Sequence, residues 1–517
     1  MTRGLANRKS SATIKQNRRS KMRYIGLDVG TSGCKATVAD KDGVIFTSAY
    51  REYAPVCPQP GYMEIDARLV ADAVMQVLRE VASPEITALS IASFGEAVVL
   101  LDGQDRVLER SIYFSDTRGV EEVADILAAM DQKRCRQITG MPANPMFSAN
   151  KLLWIKKHKP DVFAAAKRTL LFGDYVAFTL TGERMIDYSL ASRTMLLDIH
   201  TNSWSDEVAD ALGLSTAGFS RPVRMGTPIG KLLPKVAKET GLNENVLVVA
   251  GGHDQAMAAL GSGATKPGDS VDGMGSSECI TLVLGKENIV DKMADYSFCA
   301  EPYLFDNTYI TLAFNASAGS AIRWFRDCFG AELAQQAKAG GESVYQMLER
   351  ECPAKPTEIL FLPYVAGSGT PYLDSEIGGA FLGLRMASTR SELYRAVLQG
   401  ICYEMQMNAA LLKDCGIALN AITAVGGGSN SELLMQIKAD VMNREIDVLE
   451  TSEAGTLGLI LLCSQAMGEI DDLAVAARRI AKRSRTFVPN PENVRIYASL
   501  MERYSRVYPA LRTVCEK

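Results

Sequence analysis

Histidine is scarce in this chain: His158, His200 and His253 are the only three in 517 residues. A multi-histidine metal site or a Ser-His-Asp hydrolase therefore has few candidates to recruit. The eleven cysteines, scattered from Cys34 to Cys515, include no C-x-x-C pair and are odd in number. That excludes a disulfide framework and points to reduced thiols in a cytoplasmic protein. Apolar runs are interrupted by Gly, Ser or charge well before the roughly 20 residues a membrane span needs, so no membrane partner is expected. An excess of positive charge is also missing. The net charge is −4, which argues against a nucleic-acid partner. What is there is ordinary globular composition, 47% hydrophobic and 22% charged, in a chain long enough for more than one domain.

Residues 1–21 stand apart. Arg3, Arg8, Lys9, Lys15, Arg18, Arg19 and Lys21 are basic, and the first acid is Asp28. Without an apolar core the segment is no secretory signal; its Arg, Ser and lack of acids also fit a transit peptide, and the favoured reading is a disordered or non-native tail ahead of a natural start at Met22. From Tyr24 the pattern is α/β. Strands are expected at 24–28, 34–39, 44–50 and 86–94, and helices at 66–82, 117–131 and 148–167. A second half opens with strand 245–251, and the break Lys266-Pro267-Gly268 marks a domain boundary. Strand-turn-strand recurs at 270–284, followed by helix 389–412, strand 421–428 into a helix, and the small-residue helix EAGTLGLILLCSQAMG. The expected domains are 22–266 and 267–487, with a polar helical tail at 488–517. Asp28-Val29-Gly30-Thr31-Ser32 and Gly273-Met274-Gly275-Ser276-Ser277 are each a strand end, a glycine and small hydroxyls before a returning strand, which suggests two similar domains.

Four motifs carry candidate chemistry. In DVGTSGCK (28–35), turn amides, the Thr31 and Ser32 hydroxyls and the Lys35 charge can cradle phosphate. A strand follows, so this is neither a P-loop nor a dinucleotide fingerprint; the competing reading is a plain hairpin turn. In AGGHDQAMAAL (250–260), Asp254 sits where strand becomes helix, and Gly251-Gly252 leave room for a ligand to approach the backbone. Here the competing reading makes Asp254 a helix N-cap. In AVGGGSNSELLMQIKAD (424–440), three glycines leave room for a flat ring or ribose, with Ser429 and Asn430 as hydrogen-bond partners or, alternatively, as caps. NASAGSAIRWFRD (315–327) is a small-residue entry into a helix, equally suited to close packing. His253 is assigned no metal, and the acid-plus-glycine pattern suits a Mg-nucleotide held by phosphates and few carboxylates. Glu96 falls just past strand 86–94 between small residues, where a carboxylate could accept bonds from vicinal hydroxyls of a carbon chain.

In this order and spacing, these motifs resemble the FGGY carbohydrate kinases of the sugar kinase, hsp70 and actin superfamily. GYMEID (61–66), FSDTR (114–118), the Phe147–Lys151 block with Trp154, and LTGE add to the likeness, which runs from Met22 to about Gly468. The resemblance implies two ribonuclease H-like, actin-like ATPase domains of α/β class with ATP in the cleft between them. It implies that Thr31, Ser32, Gly33, Lys35 and Ser276 hold phosphates, that Gly427, Gly428 and Asn430 hold the adenosine, and that Gly319 is a further nucleotide contact. Asp254 matches the family's base and Asp28 its Mg2+-associated acid. Gly95, Glu96, Asp254 and Gln255 form the expected substrate set.

Within the family the motif style is most like the xylulokinases, which implies ATP-dependent phosphorylation of a primary hydroxyl of a ketopentose. The departures keep polyol and sugar-acid kinases (erythritol-, xylitol- or gluconate-type) open. Xylulokinases have Met-His-Gly where this chain has Gly95-Glu96-Ala97. Glycerol kinases have Arg-Glu-Thr there, and a Tyr at the position of Met146. Gln399 precedes Gly400 where the family usually has Glu. The alternative of another class is a non-catalytic sensor of the same fold. A homodimer is the base-rate expectation for assembly.

Overall fold

The computed structural model describes residues 22–515, so the expectation for the basic segment 1–21 lies outside the described residues. The described residues divide into two compact units: 22–265 with 300–309 and 453–481, and 266–299 with 310–452 and 482–515.

The first unit is built on β1 (Arg23–Val29), β2 (Gly33–Ala39) and β3 (Ile45–Glu52), an antiparallel meander. β4 (Ile86–Ser93) lies parallel to β1. β5 (Pro228–Lys231) closes an edge antiparallel to β6 (Leu247–His253), which is parallel to β4. The order is β5-β6-β4-β1-β2-β3. β4 is buried almost throughout, as a central strand covered on both faces should be. α1 (Ala67–Val81) starts where Asp66 accepts from the Arg68 N–H, and buries Val70, Ala73, Val74, Val77, Leu78 and Val81, the spacing of one helical face. α2 (Phe172–Thr181) stops at Gly182, φ +80°, and the helix α3 spans Asp254–Gly261.

The second unit repeats this plan. β7 (Asp269–Met274) and β8 (Glu278–Gly285) form an antiparallel hairpin, and β9 (Thr308–Asn315) flanks β8. β10 (Ala421–Val425) is parallel to β7, β11 (Ile446–Leu449) is parallel to β10, and β12 (Arg483–Phe487) closes the edge antiparallel to β11. The order β12-β11-β10-β7-β8-β9, six strands of a seven-stranded sheet, follows that of the first sheet except that the edge strand β12 comes after its neighbour in the chain where β5 comes before β6. The paired glycine hairpins thus occupy the same position in both sheets. Helices α4 (Gly319–Phe329), α5 (Arg390–Asp414), α6 (Glu432–Met442) and α7 (Pro491–Tyr504) complete the unit. Lys438 of α6 is fully buried against Asp272 of β7 and Glu278 of β8.

Differences from the sequence reading have local causes. Helix 148–167 divides into Ser148–His158 and Pro160–Ala165, because Pro160 has no N–H to continue the ladder. Helix 117–131 narrows to Glu122–Ala129. Residues 453–481 fall within the stretch 267–487 yet pack in the first unit. The helix Ala454–Ala466 is apolar on nearly every side, so it must be surrounded. Its backbone comes so close to α3 that a β-carbon on Gly261 would stand 1.8 Å from the Ala454 carbonyl, and one on Gly458 2.3 Å from that of Met257. The tail from 488 is not merely polar, since α7 buries Tyr497, Leu500 and Tyr504. Gln399 is buried and both accepts from the Thr357 N–H (2.9 Å) and donates to its carbonyl (3.0 Å). An amide can do both, which an ionised Glu cannot.

Candidate active site

The parallel strands of the first unit bring its chemistry to one sheet end. Register sets Asp28 of β1 beside Ala92 and His253 of β6 beside Ser93, so Asp28, Glu96 just past β4 and Asp254 at the head of α3 all lie at the strands' C-terminal ends.

Asp254 is the first residue of α3; the capping position is occupied by His253, which makes no side-chain capping bond. The N-cap alternative for Asp254 is therefore not what the fold uses. Its Oδ1 is buried without a hydrogen-bond partner and lies 3.3 Å from His253 Nε2. Burial raises the Asp254 pKa, the His253 charge opposes this, and the carboxylates of Glu96 and Glu301 add to it. A carboxylate whose pKa is raised in this way is a stronger proton acceptor than a solvated one. Asp28 Oδ1 is likewise buried and unpartnered. Burial, then the charges of Asp254 and Glu453, push Asp28 up to about 7, while Lys35 pulls the other way. Gln255 follows, half-buried, on the first turn of α3.

His253 is built into a buried line of charge. Its Nδ1 is 3.1 Å from Glu301 Oε2, and Glu301 Oε2 is 3.7 Å from Arg193 Nη1. Arg193 pairs in turn with Glu96, donating from Nε to Oε1 at 2.6 Å. Burial alone would lower the His253 pKa, but Glu301 and Asp254 outweigh it and push the ring up to about 9. The His253 backbone N–H donates to Ser189 Oγ (2.9 Å), and Ser189 is held by Asp187, the N-cap of the helix Tyr188–Ser192.

The expectation of open space beside Glu96 fails. The Glu96 carboxylate is engaged by Arg193, and the place vacated by the Gly95 side chain is filled by the same arginine. Gly251 also serves the protein. A β-carbon there would stand 2.0 Å from the Ile91 carbonyl of β4, so the approach that needs glycine is the neighbouring strand's, not a ligand's.

The first hairpin turn is held from behind. Gly30 N–H donates to the Gly33 carbonyl (2.9 Å), while the hydroxyls of Tyr53 and Tyr113 donate to the carbonyls of Gly30 (2.7 Å) and Thr31 (3.2 Å). Ser32 is exposed and Thr31 half-buried. Gly33 is buried under Tyr50, whose hydroxyl would stand 2.3 Å from an added β-carbon. Lys35 Nζ is paired with the Glu453 carboxylate at the start of helix Ala454–Ala466.

In the second unit, Ser276 sits on the exposed turn between β7 and β8, at the N-terminus of α4. Gly319 N–H donates to the Gly275 carbonyl (3.1 Å), Ser320 N–H to that of Ser276 (2.9 Å), and Arg323 Nη2 to Ser276 Oγ (3.1 Å). The first N–H groups of α4 are thus taken by turn carbonyls, and the exposed Ser276 hydroxyl with the Arg323 guanidinium is what suits an anion. Gly427 and Asn430 are exposed, and nothing lies within 4 Å of a β-carbon built on Gly427. A β-carbon on Gly428 would instead stand 2.8 Å from Met274 Cβ. Ser429 is buried and donates to the Gly426 carbonyl, so it is not offered to a ligand. The cap of α6 is Ser431, not Ser429 or Asn430.

Arg193, Glu301 and Glu453 were missed by the sequence reading. Their only signals were an acid in the apolar stretch around Cys299-Ala300, an arginine among small buried residues, and an acid opening a small-residue helix.

Two family models match in sequence order. The N-terminal domain of the FGGY family of carbohydrate kinases matches residues 23–261, and its C-terminal domain matches residues 274–467. The chain is 28% identical over 507 residues to a xylulose kinase of Bacillus subtilis (94% of this chain, 97% of the relative) and 30% identical over 502 residues to one of Escherichia coli (94% and 99%). Among solved structures it is similar to a ligand-bound xylulose kinase of Lactobacillus acidophilus, with TM-score 0.87 and 26% identity over 95% of this chain and 98% of that one. A gluconate kinase of the same organism superposes with TM-score 0.85 and 26% identity over 95% and 98%. With its two repeated sheets and both domain models matched in order, the chain belongs to the FGGY family of carbohydrate kinases.

Proposed function

We propose that the protein transfers the γ-phosphoryl group of ATP to a primary hydroxyl of a ketopentose, with Asp254 as the base. The observation that carries this reading is the buried Asp254 Oδ1 at the β6–α3 junction, which makes no hydrogen bond and faces only the His253 ring at 3.3 Å, together with a buried carboxylate oxygen on Asp28 that has no hydrogen-bond partner. Phosphoryl transfer depends on positioning and charge stabilisation. Asp254 accepts the hydroxyl proton as the oxygen attacks phosphorus, and its raised pKa suits that task. The Gly30–Gly33 turn with Thr31, Ser32 and Lys35 holds phosphate, and so does the Ser276 turn with Gly319. Gly427 and Asn430, open to solvent, receive the adenosine, with Gly428 shaping the turn.

The orphaned Asp28 oxygen fits a hydrated Mg2+ held through water and phosphate oxygens. When bound, the ion neutralises developing phosphate charge. The ketopentose is favoured by the names of the xylulose kinases the chain resembles. A gluconokinase of Bacillus licheniformis, 26% identical, keeps an aldonate as the second reading. A non-catalytic sensor finds no support among relatives that bear kinase names. The test is ADP release by the full chain with MgATP over a panel of ketoses, polyols and sugar acids. No sugar-dependent release from any of them would refute the proposal.

A further inference from the structure

Arg193 reaches the substrate end of the first unit from far along the chain and takes the place that Gly95 leaves. A β-carbon on Gly95 would stand 3.0 Å from Arg193 Cγ and 3.2 Å from its Cβ. The guanidinium lies 4.9 Å from the centre of the Phe147 ring. Its Nε and Nη2 both donate to Glu96 Oε1, and its Nη1 lies 3.7 Å from Glu301 Oε2. All three side chains are almost removed from solvent, at 4% exposure for Arg193, 5% for Glu96 and 0% for Glu301. The line continues through His253 to Asp254, with charge alternating at each step. Asp254 raises the pKa of Asp28, which Lys35 lowers, and Glu301 raises that of Asp187. Carboxylates therefore outnumber cations around the base.

A buried guanidinium held between two carboxylates has no surplus charge for a third. An aldonate placed here would bury an anion without a counter-ion, which is costly. The hydroxyls of a neutral chain are matched to the same surroundings, since they donate to carboxylate oxygens and accept from N–H groups. We propose that Glu96, Arg193 and Glu301 form a charge filter that admits a neutral ketose or polyol beside Asp254 and refuses an aldonate. The inference rests on the carbohydrate-kinase reading of Asp254 and narrows its substrate class. Arg193 and Glu301 are positioning residues in it, acting through Glu96 and His253.

The experiment measures kcat/KM of the full chain with MgATP for D-xylulose, xylitol, D-xylonate and D-gluconate. The better neutral substrate should exceed both aldonates by about 100-fold or more, and neither aldonate should compete with it at ten times its KM. Glu96→Gln removes the negative charge that Nε and Nη2 face, so the neutral-to-aldonate ratio should narrow by ten-fold or more, through the aldonate KM, with the ATP KM unchanged. If that variant does not fold, the wild-type ratio and the aldonate competition decide the proposal by themselves. An aldonate used as well as the neutral compounds, strong aldonate competition in the wild type, or an unmoved ratio in the folded variant would overturn the filter and leave the kinase reading standing. Absence of turnover with all four compounds would instead overturn the substrate reading on which the filter rests.

Discussion

Glu301→Gln tests the buried charge line at its centre. In the wild type, His253 stands at about 9 against an ordinary value near 6.5, because Glu301 and Asp254 overcome the effect of burial. That gap is worth roughly 3 kcal/mol in favour of the charged ring, at about 1.4 kcal/mol for each tenfold change. A raised folded-state pKa stabilises the protein fully below the unfolded value near 6.5, and the contribution is lost as pH rises through about 9. Glutamine keeps the shape but not the charge. Burial and the repulsion of Arg193 then face only Asp254, and the ring should be neutral at pH 7.5. Urea unfolding at pH 6 and pH 9.5 should show the wild type losing on the order of 3 kcal/mol more than the variant across that interval. The kinetics should move as well. The His253 charge restrains the rise of Asp254, so in the variant the acid limb of kcat/KM should shift to higher pH. Parallel stability curves together with an unmoved acid limb would show that Glu301 does not govern the ionisation of His253, and the reasoning would fall.

Three further outcomes are expected. Asp254→Asn should lower kcat by about 1,000-fold or more while the ADP affinity, read by calorimetry, stays within about two-fold, because the amide cannot accept the hydroxyl proton. Gly251→Ala, whose β-carbon would meet the Ile91 carbonyl, should cost about 2–4 kcal/mol by denaturant melt; Gly427→Ala, with nothing nearby, should melt like the wild type and report only through the ATP KM. Lys438→Met should destabilise by about 3–5 kcal/mol, since it leaves Asp272 and Glu278 buried without their cation; an unchanged midpoint would refute that.

Local chemistry made much of the fold legible. Period-two strands, glycine turns and small-residue helix entries are written in neighbouring residues, so β1, β2, β4, α1 and the two matching hairpins could be placed from the chain alone. The same holds for Asp254, because a strand-to-helix junction is a local event. What tertiary structure decided is partnership. Arg193 meets Glu96 across 97 positions and His253 meets Glu301 across 48, and no periodicity encodes contacts between residues so far apart. The sequence suggested room for a ligand at Gly95 and Gly251. Folding assigned one to the stem of an arginine and the other to the carbonyl of a neighbouring strand. Ser429 was legible as a hydroxyl, but only the closed turn shows that its bond goes to Gly426. A side chain's type is local, whereas its partner and the charge it bears depend on what the folded chain packs against it.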